Sequence, residues 1–301
     1  MVMSVEIDSS EGELRISLPP KRVVSLVPSL TESLFDLGLG EFVVGITDFC
    51  VHPADGVKFL TRIGGPKNPE LQKILSLNPD LVLANQEENP RKIVENLRER
   101  GIPVLVTFPQ SVRQALEVLL RIAGMFSRQT AFMRIKTLEM TYSWLQSRVD
   151  ADEPMRYFCP IWMGEIQDGT RWWMTFNQHT YVHDLLRILG GKNIFAERER
   201  RYPLMADLGL RDPIDSDWRD TRYPRVVLDG VKRLDPEIIL LPNEPYPFDE
   251  SHSDDFKDLF QGTSAVSKGR IVMVDGSLLT WHGTRMGKAF QQLPNLFNYR
   301  Q

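Results

Sequence analysis

Two stretches of this chain repeat one pattern, and the repeat limits the fold more than any other feature. Leu71 to Asn85 and Leu228 to Asn243 each run through a short amphipathic helix, a Pro, an acidic residue and an apolar run too short for a helix. The first copy reads Pro79-Asp80-Leu81-Val82-Leu83-Ala84, the second Pro236-Glu237-Ile238-Ile239-Leu240-Leu241. Pro stops a helix, and an unbroken Val/Ile/Leu run bounded by turn residues is the mark of a strand buried on both faces in a parallel sheet. Both strands open into polar loops, Asn85-Gln86-Glu87-Glu88 and Asn243-Glu244 followed by Pro245-Tyr246. Ligands of open α/β sheets bind at such strand ends. The duplication therefore predicts an α/β fold of two lobes facing one cleft.

Bulk properties narrow the function classes. The chain has 301 residues, 42% of them hydrophobic and 25% charged, enough for two ordinary soluble lobes with real cores. A net charge of -4 gives no reason to expect nucleic acid or an anionic membrane as a partner. No run is long enough for membrane insertion. Cys50 and Cys159 lie in different halves without metal-type spacing, and a bridge between them would lock the cleft, so they read as free thiols of a reducing compartment. The first residues carry no basic and apolar signal pattern and no lipid-acceptor Cys, which predicts a cytoplasmic protein. A periplasmic or membrane-anchored extracytoplasmic protein is the alternative if the sequence is trimmed.

Along the chain, residues 1–20 read as an N-terminal hairpin, 21–126 as the first α/β lobe, 127–149 as a rigid connecting helix and 150–301 as the second lobe. In the connecting helix Ala131, Ile135, Leu138, Tyr142, Leu145 and Val149 recur by threes and fours, with no Gly or Pro. Ser29 or Thr31 is a candidate cap for the helix that ends at Gly38, and Asn89 a candidate cap ahead of Pro90. Residues 197–223 form a charged, irregular insertion that contains Arg-Tyr-Pro twice, at Arg201-Tyr202-Pro203 and Arg222-Tyr223-Pro224. A loop this long is functional or mobile.

Arg22-Val23-Val24-Ser25-Leu26-Val27-Pro28-Ser29-Leu30-Thr31-Glu32, Gly64-Gly65 with Asn68-Pro69, and Asn78-Pro79-Asp80-Leu81-Val82 together resemble the class III, helical-backbone substrate-binding proteins. The likeness runs from about Lys21 to about Leu296 and is nearest to the cobalamin-binding branch. The resemblance implies two Rossmann-like lobes with mostly parallel sheets joined by one long helix, a monomer, and a metal chelate as ligand: cobalamin or another corrinoid, haem, or a ferric siderophore. Members that serve an ABC permease carry a docking Glu on each lobe. The matching positions here are Gln72 and Asp229, one uncharged and one shortened, so the expected protein is a cytosolic relative that has lost the permease as partner; the alternative is an importer component.

The predicted cleft draws Phe49, Cys50 and His52 from the first lobe, with Asn85, Gln86, Glu87 and Glu88 beside them. The second lobe is expected to supply Trp162, Trp172, Trp173, Tyr223, Glu244, Tyr246, Trp281, His282 and Arg285. Flat aromatic faces suit a planar macrocycle, and amides or a guanidinium suit its peripheral groups. The plainer alternative puts most of these aromatics in the core, and of the adjacent Trp172 and Trp173 one at most faces a cleft. His52 and His282 are candidate axial ligands to cobalt or iron. His179 and His183, at i and i+4, are a weaker metal pair. Each histidine also has a structural reading. Cys50 and His52 form a possible nucleophile–base pair, and Glu87, Glu88 and Glu244 possible acid–base groups, but a binding module without chemistry is the leading reading. A chelate-modifying enzyme and a ligand sensor are the other classes.

Overall fold

The computed structural model of the chain describes residues 3–9, 12–148, 153–215 and 218–297. They form two compact units. The first comprises Met1–Pro109, Arg113–Thr141 and Trp281–Gly287; the second comprises Gln110–Val112, Tyr142–Thr280 and Lys288–Gln301.

The first unit is built on a five-stranded sheet in the order Thr61–Arg62, Val43–Ile46, Val23–Ser25, Leu81–Asn85, Val104–Thr107, with every neighbouring pair parallel. Val23, Val24, Leu81, Val82, Leu83, Val104 and Leu105 are wholly buried, which is why their segments are continuously apolar rather than alternating. An antiparallel hairpin, Met3–Ser9 with Gly12–Leu18, precedes this sheet as expected. The second unit has a parallel four-stranded sheet in the order Gly191–Asn193, Met155–Phe158, Ile238–Pro242, Ile271–Val274. It adds a three-stranded antiparallel sheet of Trp162–Glu165, Arg171–Met174 and Arg225–Val227. The fold is α/β, as the sequence predicts.

The repeat is reproduced in detail. The helices Leu71–Ser76 and Leu228–Leu234 are followed by Asn78 and Asp235, both left-handed at φ 44°, and then by the two prolines. Asn and Asp are the non-glycine residues that tolerate this conformation best. The acid after each Pro then grips the start of the neighbouring strand. Asp80 accepts the backbone N–H of Lys21 at 2.8 Å and of Arg22 at 2.9 Å, while Glu237 accepts that of Arg156 at 3.1 Å. Each of these arginines returns a guanidinium bond to the end of the repeat helix, Arg22 Nη2 to Leu77 O at 2.7 Å and Arg156 Nη1 to Leu234 O at 3.3 Å. One local device thus sets a helix end against a strand start twice, once in each unit.

Several local expectations change. The helix Pro28–Asp36 is preceded by Val27 and has no side-chain cap; Thr31 Oγ1 instead donates to Val27 O. Asn89 does not cap either. Pro90 precedes the helix Arg91–Arg98, and Asn89 turns back so that its Oδ1 accepts Asn85 N–H and its Nδ2 donates to Leu26 O and Pro66 O. The long helix runs Gln129–Gln146, set off from Val112–Phe126 by Ser127 at φ 50°. Ala131, Ile135, Tyr142 and Leu145 are buried along one face, as their spacing requires, whereas Val149 lies outside the described residues. The division between the units falls within this helix, after Thr141. The 197–223 insertion is not an open loop in its described part: it carries the helix Leu204–Asp207 and a bridge between Tyr202 and Ile214.

Candidate functional site

In the first unit three segments meet at the carboxyl ends of the parallel strands. The loop after Val43–Ile46 is fixed by Arg62, which donates to Thr47 O and Cys50 O, each at 2.8 Å. Cys50 is buried with its Sγ 3.1 Å from the hydroxyls of Thr31 and Thr47, and burial pushes its thiol above the ordinary value. A protonated, enclosed thiol is a poor nucleophile. Phe49 beside it is 64% exposed, and His52 is exposed with its ring 6.0 Å from that of Trp281.

The loop after Leu81–Asn85 is organised by Asn85. Its Oδ1 accepts the N–H groups of Glu87 (2.8 Å) and Glu88 (3.3 Å), which fixes its amide nitrogen as the donor to Thr107 O (3.0 Å) and to His282 Nε2 (3.2 Å). His282 Nε2 is therefore an acceptor, and the hydrogen sits on Nδ1. Burial drives the imidazole pKa down to about 4, so the ring is neutral at pH 7. The lone pair that an axial metal ligand needs is engaged by Asn85, and His282 is a structural histidine here.

The third segment, Trp281–Gly287, belongs to the first unit rather than the second. Arg285 explains why. Its Nε and Nη2 bind Glu32 at 2.6 and 2.9 Å, with both side chains more than nine-tenths buried. Thr284 adds N–H to Ser33 Oγ at 3.0 Å and Oγ1 to Asp36 Oδ2 at 2.7 Å. Arg285 also lies 4.4 Å from the Trp281 ring centroid, so its guanidinium is occupied on its edge and against its face. It is an internal strut, not a rim cation awaiting a ligand. Gln86 and Glu87 are exposed, and Lys67 Nζ donates to Glu87 O.

In the second unit the aromatic residues divide between core and surface. Trp173, 1% exposed, packs on Phe256 and Phe260 at ring distances of 5.6 and 5.4 Å. It is core, because strand alternation turns it inward while Trp172 stays half-buried under Arg225. Trp162 is 43% exposed and meets Tyr246 edge-on at 5.5 Å; Tyr246 in turn packs on Phe248 at 4.7 Å. Tyr223 is half-buried, with Arg222 5.2 Å from its ring centroid. Glu244 accepts from Thr280 Oγ1 at 3.4 Å, and its backbone packs on Gly276, where a Cβ would come within 2.4 Å of Glu244 O. A larger residue at Gly276 would displace this loop.

His179 and His183 do not stand one turn apart on a helix. The helix is Tyr181–Ile188 with Thr180 as its cap, so exposed His179 precedes it and the two rings do not share a helical face; His183 N–H bonds Thr180 Oγ1. Among the described residues no group of three or more His, Cys, Asp or Glu is placed to hold a metal ion. Gln72 and Asp229 are exposed on the two repeat helices. The roles of Glu32, Arg62 and Thr107 have no local signal, because each depends on contacts made across the fold. Within the charged insertion, Arg200 and Arg219 stack on the ring of Tyr202, and Arg219 on that of Trp218, contacts that no local pattern announces.

Known proteins share both sequence and architecture with this chain. A vitamin B12-binding protein of Yersinia pestis (strain Pestoides F) is 28% identical over 184 residues, 61% of this chain and 63% of that protein, so the match spans just under two thirds of the relative. The periplasmic vitamin B12-binding protein BtuF of Vibrio cholerae superposes with a TM-score of 0.72 at 19% identity, over 92% of this chain and 96% of that one. The periplasmic heme-binding protein RhuT of Roseiflexus sp. RS-1 gives 0.69 at 21%, over 92% and 97%. The family model for periplasmic binding proteins matches residues 23–278, and with its two α/β units and long helix the chain belongs to that family, in its class III, helical-backbone group.

Proposed function

We propose that this protein binds a metal chelate of the corrinoid, haem or ferric-siderophore class and performs no chemistry on it. The observation that carries the reading is that each unit presents an exposed aromatic ring, Phe49 in the first and Trp162 in the second, while the polar groups at the strand ends of the first unit are already bonded to one another. Aromatic surfaces backed by a fixed framework bind by shape with little ordering cost. Of the groups a catalytic reading draws on, the Cys50 thiol is enclosed by Thr31 and Thr47 and pushed above its ordinary pKa by burial, which makes it a poor nucleophile. Relatives that bind vitamin B12 or heme support the ligand class. The cytosolic placement and the loss of permease docking belong to the same proposal, supported by two buried free thiols and by Gln72 and Asp229 in place of glutamates.

Titration of the purified protein with cyanocobalamin, haemin and a ferric siderophore, read by Trp fluorescence and visible absorbance, tests the proposal. One of them is expected to bind saturably, with Kd on the order of micromolar or tighter. Phe49→Ala and Trp162→Ala should weaken it without lowering the melting temperature. Absence of saturable binding to all three would refute the reading.

A further inference from the structure

The second unit contains a ladder of rings and guanidinium groups that the framework described above does not use. Arg200 Cζ lies 4.1 Å from the Tyr202 ring centroid, Arg219 Cζ lies 4.9 Å from the same ring, and Arg219 is also 4.4 Å from the ring of Trp218. Trp218 is 80% exposed even with Arg219 against it. Tyr202 is anchored by its hydroxyl, which donates to Asp220 O at 2.7 Å. The ladder is therefore ordered at its inner end and open at its outer end.

The two aspartates nearest the ladder are hydrogen-bonded by other groups. Asp207, its side chain fully buried, is held by Arg198 Nη2 (2.8 Å) and by the backbone N–H groups of Arg201 (2.9 Å) and Arg225 (2.7 Å). Asp220 is taken in bidentate fashion by Arg222, Nε at 2.9 Å and Nη2 at 2.7 Å. Arg200 and Arg219 form no ion pair among the described residues, and the Nε of each is buried without an acceptor there. Asp207 and Asp220 lie within electrostatic reach of Arg200 and meet part of its charge, while Arg219 rests on the Tyr202 and Trp218 rings. An anion at the outer end of the ladder is attracted to the Arg219 guanidinium, which no carboxylate among the described residues pairs. The exposed indole next to the pair supplies a flat apolar surface, the other half of a site for a planar ligand with an acidic edge.

The geometry points to Trp218, Arg219 and Arg200 as a selectivity site for a planar metal macrocycle bearing ionised carboxylates, the ring stacking on Trp218 and the carboxylates meeting the two guanidinium groups. The inference rests on the chelate-binding function proposed above and sharpens it, because it ranks a carboxylate-bearing porphyrin above a corrinoid whose periphery carries neutral amides.

The test uses the full chain and three probes: iron protoporphyrin IX, its dimethyl ester, and cyanocobalamin. The free acid is expected to bind about tenfold or more tightly than the ester, which has the same ring without the charges. In Arg200→Gln/Arg219→Gln the acid should fall to the level of the ester while the ester is unchanged. Arg200→Lys/Arg219→Lys, which keeps the charges, should retain part of the preference. Trp218→Ala should weaken acid and ester alike, by about three- to tenfold. A double Gln variant that binds the acid like the unaltered protein, or equal binding of acid and ester, overturns the inference and leaves the chelate-binding proposal standing. Tight cyanocobalamin binding with no porphyrin binding does the same. No binding of any probe overturns both.

Discussion

The two units use the same helix–Pro–acid–strand device and then diverge in what they do with their charged groups. In the first, Arg285 and Glu32 satisfy each other out of water, and Asn85 and His282 are bonded as neutral groups. In the second, Asp207 and Asp220 bind some of the arginines while Arg200 and Arg219 are left to aromatic rings at the surface. A scaffold repeated within one chain has become an internally bonded framework in one place and a surface of arginines stacked on rings in the other. The difference teaches that a count of polar residues near strand ends says little about ligand contacts until their internal partners are known.

The sharpest way to break this comparison is to remove Glu32. Glu32→Ala leaves the Arg285 guanidinium buried without its carboxylate, which is expected to destabilise the protein by roughly 3–5 kcal/mol in urea unfolding followed by circular dichroism. Glu32→Leu/Arg285→Met should recover most of that loss, since an apolar pair of similar volume avoids the desolvation of both charges. A loss below about 1 kcal/mol for Glu32→Ala would mean that water reaches the pair and that the first unit is not held in this way.

That pair also marks the limit of what the sequence makes legible. The parallel strands are readable because burial on both faces demands unbroken apolar runs, and the repeat is readable because Pro and the following acid recur at the same spacing. The Glu32–Arg285 contact joins residues 253 apart, and no local rule links them. For the same reason chain order assigns Trp281 to Arg285 to the second unit, whereas its hydrogen bonds return it to the first helix. Candidate ligand residues were legible by type but not by fate. Trp162 and Phe49 are exposed as a binding surface requires, yet Trp173, Cys50 and His282, equally attractive in sequence, are buried by alternation or by tertiary contacts.

Acid should act on the two units in opposite directions. His282 protonates only near pH 4 in the folded chain but near 6.5 when unfolded, so the unfolded state gains the proton first and stability falls as the pH drops from 6.5 to 4. The Asp207 carboxyl, which burial pushes up to about 6, behaves oppositely: the folded state takes the proton first, and its contribution is complete below about 3.8 and lost as the pH rises through 6. At about 1.4 kcal/mol per pH unit each group moves stability by about 3 kcal/mol at most, and between pH 4 and 6 the two largely cancel. His282→Gln should remove the acid-driven loss, and Asp207→Asn should expose it in full. Unfolding free energies of the two variants that run parallel across pH 4–6.5 would show that these environments do not differ as described.

The smallest effect compares the repeats themselves. Asp80 accepts two backbone N–H groups, whereas Glu237 accepts one and adds looser contacts at 3.5 Å to Arg156 Nε and 3.7 Å to Lys268 Nζ. Hydrogen bonds to an ionised acceptor contribute about 1.5–3 kcal/mol where they are well formed, and partly exposed ion pairs about 0–1 kcal/mol. Asp80→Ala is therefore expected to cost about 2 kcal/mol and Glu237→Ala about 1 kcal/mol. Asp80→Asn, which keeps an acceptor oxygen, should recover roughly half of the first loss. The order matters more than either value. If Glu237→Ala proved the costlier, the device would owe its strength to side-chain ion pairs rather than to its grip on the strand backbone, and the two copies would be alike in sequence but not in the physics that keeps them.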